Sequence, residues 1–326
     1  MKSRDSQRYL VLGGKGFVGS HLVDALLKEG HRVRIFDRPG TVFLEDACMQ
    51  HRNLEIVEGD FCSESDIAGA VADCNACFHL VSTTLPKSSN LDPVYDIETN
   101  LIGTVRLLHH ALRAGVAKII FLSSGGAVYG PPEELPIPET HPTNPICSYG
   151  ITKLAVEKYL GMFHKLQGLE YVVLRFSNIY GERQRTQSSQ GAVAVFLGKV
   201  LRGEKVEIWG DGSVVRDYIH INDAVLALLA AANLDSLPGS ERIFNIGSGS
   251  GISLNEVLAE IEFAMKIKVA RNYIEGRSFD VPSSVLAIDR ARRVLGWQPA
   301  MTFPEGLKRT LNWLERQQNS SNSVGN

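Results

Sequence analysis

Nowhere in this chain does an apolar run approach the ~20 residues a helix needs to cross a bilayer, so no membrane-spanning helix is expected. The opening MKSRDSQR leads into LVLGG, too short an apolar stretch for the core of a secretion signal. The expected compartment is the cytoplasm. An excess of one charge is missing too: the formal net charge is −2, which argues against nucleic acid or an anionic membrane surface as partner. Five cysteines are an odd number and frame no set of disulfides. Cys74-Asn75-Ala76-Cys77 with His79 resembles half a zinc site, but no second pair exists and Cys77 opens an apolar run. Buried thiols and no metal are expected. What remains is an ordinary globular composition, 44% hydrophobic and 21% charged.

The apolar pattern alternates between short runs and helical spacing. Tyr9-Leu10-Val11-Leu12 reads as a strand, and Gly13-Gly14-Lys15-Gly16-Phe17-Val18-Gly19 follows at once. Phe17, Val18, His21, Leu22, Ala25 and Leu26 then recur at helical spacing as far as Gly30. Strand, glycine turn and helix together aim backbone N–H groups at a point where a pyrophosphate can sit. A plain tight turn is the alternative, but the context fits on both sides. The next strand, Arg32 to Phe36, ends at Asp37. A carboxylate there accepts the ribose hydroxyls of NAD and repels the 2′-phosphate of NADP. Arg38 can welcome that phosphate; the balance favours NAD.

The alternation continues through strand 54–57, ending in Gly59-Asp60, then helix 65–73 and strand 76–81. The Asp60 carboxylate either reaches the adenine amine or caps a turn. His79, inside its strand, reads as a packed core residue. A long helix from about Pro93 to Ala114 carries Asn100 on its face, and strand 118–122 delivers Ser123-Ser124 at its C-terminal end, where doubly wound sheets bind ligands. Turn chemistry is an equal alternative for those two hydroxyls. Strand 171–175 completes six or seven strands alternating with helices, which predicts a parallel sheet covered on both faces.

Between them lies Ser148-Tyr149-Gly150-Ile151-Thr152-Lys153, the start of a predicted helix (Ile151, Leu154, Ala155, Tyr159, Leu160, Phe163). Tyr149 and Lys153 are four apart and so share one helix face. A free tyrosine titrates near pH 10, and bringing it near 7 requires roughly 4 kcal/mol of differential interaction. Lys153, helped by a cationic cofactor, is the expected source. By itself the pair is ordinary surface decoration; the glycine turn upstream gives it weight.

Beyond Phe176 the pattern loosens. Residues 181–190 (GERQRTQSSQ) read as a polar, flexible loop over a ligand. Helix 191–201, strands 205–209 and 215–220, helix 222–232 capped by Asn222 or Asp223, strand 243–246, a helix capped by Ser253 and a last helix over 303–316 follow. The tail from residue 318 has nothing to bury and is expected to be disordered.

Gly13-x-x-Gly16-x-x-Gly19, Asp37, Asn100, Ser123-Ser124, Tyr149-x-x-x-Lys153 and Arg175-Phe-Ser-Asn178-Ile-Tyr-Gly181 together resemble the extended short-chain dehydrogenase/reductases. Within these the chain is most similar to nucleotide-sugar epimerases of the UDP-galactose 4-epimerase type, over nearly everything from Tyr9 to Gln317. The resemblance implies an α/β architecture: a Rossmann-type doubly wound sheet over 1–177, with part of 214–246 packing back on it, and a smaller α/β substrate-binding domain over 178–317. It implies NAD held by Gly13, Gly16, Phe17, Val18, Gly19, Asp37, Asp60, Phe61, Leu80, Asn100, Ser123, Tyr149, Lys153 and Phe176. Tyr149 is then the base and acid, and Lys153 lowers its pKa. A UDP-sugar partner would meet Asn178, Arg216 and Arg277 at its diphosphate, Trp209 at the uracil and Asp280 at the ribose. Singly, Arg216 and Trp209 also read as a surface ion-pair partner and a core aromatic. A homodimer through helices 93–114 and 149–165 is the family's habit.

Two departures refine this. The family usually places Ser or Thr where this chain has Gly125, so the hydroxyl linking Tyr149 to the sugar must come from Ser124 or from water. Ser284 stands where glucose-only epimerases carry a bulky tyrosine, which implies that 2-acetamido sugars (UDP-N-acetylglucosamine and UDP-N-acetylgalactosamine) are accepted. The related 4,6-dehydratases need an acid pair where Gly126-Ala127 stand, so dehydration is not expected. The remaining alternatives are a nucleotide-sugar 4-keto reductase or dehydrogenase and a non-catalytic NAD-binding protein.

Overall fold

The structure, a computed structural model, describes residues 6–42, 50–188, 190–234, 241–276 and 281–324. The first half supplies strands β1 (Arg8–Leu12), β2 (Arg32–Asp37), β3 (Leu54–Glu58), β4 (Ala76–His79), β5 (Lys118–Ser124) and β6 (Glu170–Phe176). The second half supplies β7 (Asn178–Tyr180), β8 (Val206–Trp209), β9 (Val215–His220), β10 (Ile243–Ile246), β11 (Gly251–Ser253), β12 (Arg271–Ile274) and β13 (Ser283–Ser284). Seven of them form one sheet in the order β3-β2-β1-β4-β5-β6-β10, every pairing parallel. Its central strands are buried on both faces, which is why they read as unbroken apolar runs rather than alternations.

Helices α1 (Phe17–Lys28), α2 (Glu64–Val71), α3 (Pro86–Ser89), α4 (Pro93–Asp96), α5 (Gly103–Arg113), α6 (Gly125–Val128), α7 (Ser148–Gln167), α8 (Ala192–Leu201), α9 (Ile221–Ala232), α10 (Leu254–Met265) and α11 (Phe303–Val324) connect and cover the strands. On one face of the large sheet Leu22, Val23 and Leu26 of α1 meet Ala224, Ala227 and Leu228 of α9. On the other, Ile67 of α2, Leu107 and Leu108 of α5, and Val156, Leu160 and Phe163 of α7 close the core. Fully burying each of these larger side chains contributes roughly 1.5–3 kcal/mol. Gly168, with φ of 74° in the left-handed region, ends α7. So α9 and β10 return to the large sheet from the second half of the sequence. A separate apolar cluster (Val193, Leu197, Val257, Leu258, Ile261, Leu307, Leu311) holds α8, α10 and α11 together.

Several expectations are corrected in detail. The helix expected over 93–114 runs unbroken from α4 through a π-helical stretch, Ile97–Ile102, into α5. Side chains widen the ladder there: Thr99 donates to the Tyr95 carbonyl, Asn100 to that of Asp96, and Thr104 to that of Asn100. The N-cap of α9 is His220, whose ring accepts from the Asn222 amide. Asp223 instead accepts from the Met301 amide. The last helix runs to Val324, past the expected end at 316, because extending an existing helix costs little compared with starting one. Short α6 has no apolar periodicity and was not foreseeable. Cys74 and Cys77 are both buried, and His79 is a packed core residue whose Nε2 lies 2.8 Å from the Thr104 hydroxyl.

Candidate active site

The glycine turn between β1 and α1 has no room for a side chain at Gly14 or Gly19. A Cβ on Gly19 would stand 2.1 Å from the Gly13 carbonyl oxygen, and one on Gly14 would stand 2.7 Å from the Ile35 side chain. Gly13 itself has φ of 81°. The backbone is thereby left bare at the N-terminus of α1, a cradle that suits a dinucleotide pyrophosphate. At the tip of the neighbouring β2 the Asp37 carboxylate accepts from the amides of Lys15 and Arg38, each at 3.0 Å. A carboxylate beside such a turn suits ribose hydroxyls. Val18 is partly buried at the start of α1, and Leu80 donates its amide to the Leu12 carbonyl.

Other residues expected at the cofactor also have partners within the protein. Asp60 accepts from the Cys62 amide at 2.9 Å and so caps a turn. Phe61 is buried, its ring 5.2 Å from that of His79. Asn100 accepts from the Thr83 amide and donates to the Asp96 carboxylate, both at 2.9 Å. Ser123 donates to Glu157 at 2.6 Å. That last residue forms a buried bidentate pair with Arg175, which stacks on Tyr129 at 4.8 Å. Glu157 was not singled out from sequence; its position four residues after Lys153 on the same helix was the signal.

Tyr149 and Lys153 sit on the first turns of α7. The N-cap is Cys147, whose side chain caps nothing. Instead the Ser148 amide donates to Asn90 at 2.9 Å and the Tyr149 amide to the Ser89 hydroxyl at 3.0 Å. The tyrosine is therefore held by its own backbone. Lys153 is buried, donates to the Leu122 carbonyl at 2.9 Å, and lies 5.6 Å from the centre of the Tyr149 ring. Burial pushes its ammonium down to about 8, with the Asp96 and Glu157 charges working against that fall. Burial also pushes the Tyr149 phenol up to about 12; a hydrogen bond with Ser124 opposes this, while the charges of Cys147 and Asp96 add to it. In the protein without its cofactor, burial thus dominates the phenol.

A cavity of about 500 Å³ opens over the phenol, within the range of small-ligand sites. Phe17, Ser123, Ser124, Tyr149, Phe176, Asn178, Trp209 and Arg216 all line it, so one space gathers expected cofactor and substrate residues. Asn178 donates to the Asp217 carbonyl, and Arg216 donates to the carbonyls of Val215 and Val281. Of loop 181–190, Gln184 and Gln190 face the cavity, but Arg183 is buried and paired with Asp24 of α1 at 2.6 Å. That part of the loop is anchored, contrary to the expected flexibility. Ser284 is buried in β13, in register with Arg216, and is not among the lining residues. Arg277 and Asp280 lie outside the described residues.

A family model described as the NAD dependent epimerase/dehydratase family matches residues 9–247. The chain belongs to that family. Its cofactor is NAD, and the glycine cradle beside Asp37 fits it. Among similar proteins is a putative UDP-glucose 4-epimerase of Methanocaldococcus jannaschii, 35% identical over 94% of this chain and 98% of that one. The solved UDP-glucose 4-epimerase of Thermotoga maritima with UDP-glucose superimposes with a TM-score of 0.88 at 36% identity, covering 95% of this chain and 99% of that chain. The UDP-N-acetylglucosamine 4-epimerase of Methanobrevibacter ruminantium, in complex with UDP-N-acetylmuramic acid, gives 0.89 at 28% identity, covering 96% and 100%.

Proposed function

We propose that the protein is a 4-epimerase of UDP-hexoses that also accepts their 2-acetamido forms. The observation that carries this is the phenol of Tyr149, one helical turn from Lys153, on a cavity that it lines together with Ser124, Asn178, Trp209 and Arg216. NAD, when bound, supplies a hydride acceptor that returns what it takes. The residues of the chain do the rest. Tyr149 removes the proton of the sugar's 4-hydroxyl and later gives one back, with Ser124 bridging phenol and hydroxyl. Asn178 and Arg216 hold the diphosphate, for which the arginine fork is suited. Tethered there, the 4-keto sugar turns over in the cavity and presents its other face.

Ionising the phenol is the central demand. Moving it from about 12 to near neutrality takes at most on the order of 7 kcal/mol. Two positive charges, the Lys153 ammonium and the nicotinamide, are the available sources. The small Ser284, buried in register with the cavity-lining Arg216, supports room for an acetamido group. An apolar stripe on α7 (Ile151, Tyr159, Met162, Leu166) and exposed Leu91, Val94, Tyr95 and Ile97 around α4 support a homodimer.

Purified protein incubated with a panel of UDP-sugars and no added cofactor tests the reading. Interconversion of the 4-epimers is expected; a reductase would turn over only with added reduced cofactor. Absence of interconversion with every UDP-hexose and acetamido-hexose overturns it.

A further inference from the structure

Asp96, at the end of α4, is completely buried and receives four donors. Its Oδ1 accepts from the Thr84 hydroxyl and from Asn100 Nδ2 at 2.9 Å. Its Oδ2 accepts from Ser148 Oγ at 2.7 Å and Thr152 Oγ1 at 2.8 Å. An ionised carboxylate offers about four lone-pair sites and no donor, so this set suits the charged form. Ser148 and Thr152 flank Tyr149 on the first turns of α7, where a negative charge is also favoured by the helix dipole.

A buried carboxylate needs a counter-charge. Asp96 and Lys153 line the same small pocket, about 10 Å³, room for about one water. Of the other groups facing Lys153, Glu157 also favours its charge. Glu157, from the same helix, is engaged bidentately by Arg175 of β6. His79 of β4 is held neutral by burial, its pKa lowered to about 3, and Tyr149 carries a proton in the protein alone.

We propose that Asp96 is a positioning residue for Tyr149 and Lys153, pinning the first turns of their helix through Ser148 and Thr152 and serving as the buried anion that balances the Lys153 ammonium. This deepens the proposed function and rests on it only for what the pair does to a sugar. Asp96 disfavours the phenolate directly, but it sustains the ammonium that favours it. Removing the charge should therefore move the Lys153 titration, which a merely structural role would leave in place.

The test uses the NAD-loaded protein labelled with 13C at lysine Cε, the Lys153 signal assigned by its loss in Lys153→Met. In Asp96→Asn, which keeps the shape, the Lys153 inflection is expected about one unit or more lower in pH. An unchanged inflection in a folded variant overturns the proposal. Should Asp96→Asn fail to fold, Thr152→Val decides, because it keeps the charge and removes one tie to α7. Amide exchange over residues 148–153 is then expected to quicken tenfold or more; unchanged exchange overturns the proposal. Neither readout depends on turnover, so failure of the epimerase reading, seen as no interconversion by the parent protein, is separately recognised.

Discussion

A methyl carbon of Leu286 lies 2.6 Å from the point where a side chain on Gly125 would begin. Leu286 is buried with Val128, Tyr129 and Ile137, so it has little freedom to withdraw. The glycine that departs from the family's usual Ser or Thr is therefore matched by a leucine filling its place, and Ser124 is left as the hydroxyl beside the phenol. Gly125→Ser is expected to lose about 1–3 kcal/mol through overpacking, seen as a drop of several degrees in melting temperature. Combining it with Leu286→Ala should cost less than the sum of the two single changes. Strict additivity in thermal unfolding would contradict the relationship. Ser124→Ala, on this account, lowers kcat about tenfold or more, the order of one lost hydrogen bond to a charged group.

Ser284→Tyr is expected to suppress turnover of UDP-N-acetylglucosamine at least tenfold more than that of UDP-glucose. Ser284 is buried in register with Arg216, which lines the cavity. Steady-state kinetics on both substrates provide the comparison. Equal losses on the two would show that the ring disturbs the strand rather than the sugar pocket.

Acid stability should carry the mark of Glu182. Burial alone would raise this carboxyl, but the hydrogen bond from His220, its own backbone amide, and the charges of His220 and Arg309 bring it down to about 2. The His220 Nε2 and Arg309 Nε atoms each lie 3.1 Å from a carboxylate oxygen of Glu182. Because the folded value lies below the unfolded one, the contribution is complete above about pH 4.5 and disappears as pH falls from there toward 2. Glu182→Gln should thus be less stable by roughly 3 kcal/mol at pH 6, with the gap to the parent closing through that window. Urea unfolding at stepped pH reads this directly; a gap that stays constant with pH would contradict it.

The fold was largely legible because its signals are local and redundant: strand runs, a glycine turn and helical spacing each point to the same sheet. The return of α9 and β10 to that sheet could be suspected from their apolar sequences, but their exact partners are a matter of tertiary packing. The site was legible to a lesser degree. Tyr149, Ser124, Asn178, Trp209 and Arg216 announce themselves by residue type and meet at one cavity. Asn100 and Ser123 announce themselves equally well; Ser123 also lines that cavity, while both bond within the protein to Asp96, Thr83 or Glu157. Direction of a side chain is not written in spacing. Asp96 and Glu157 went unnoticed because a single carboxylate in a helix looks like any solvated one until its burial is known.

The exposed apolar residues of α7 bear on assembly. Met162 and Leu166 lie one turn apart on a helix whose opposite face is core. Met162→Glu with Leu166→Glu should convert a homodimer into a monomer in sedimentation velocity while leaving the fold intact. An unchanged sedimentation coefficient for both proteins would place the interface elsewhere or deny it.

The decisive measurement is the ultraviolet titration of one phenol, taken as the difference between the parent protein and Tyr149→Phe, both loaded with NAD. The account predicts an inflection several units below the value of about 12 that burial sets in the protein alone, close to neutrality. An inflection that remains near 12 with NAD bound would contradict it, since Tyr149 could then not act as the base.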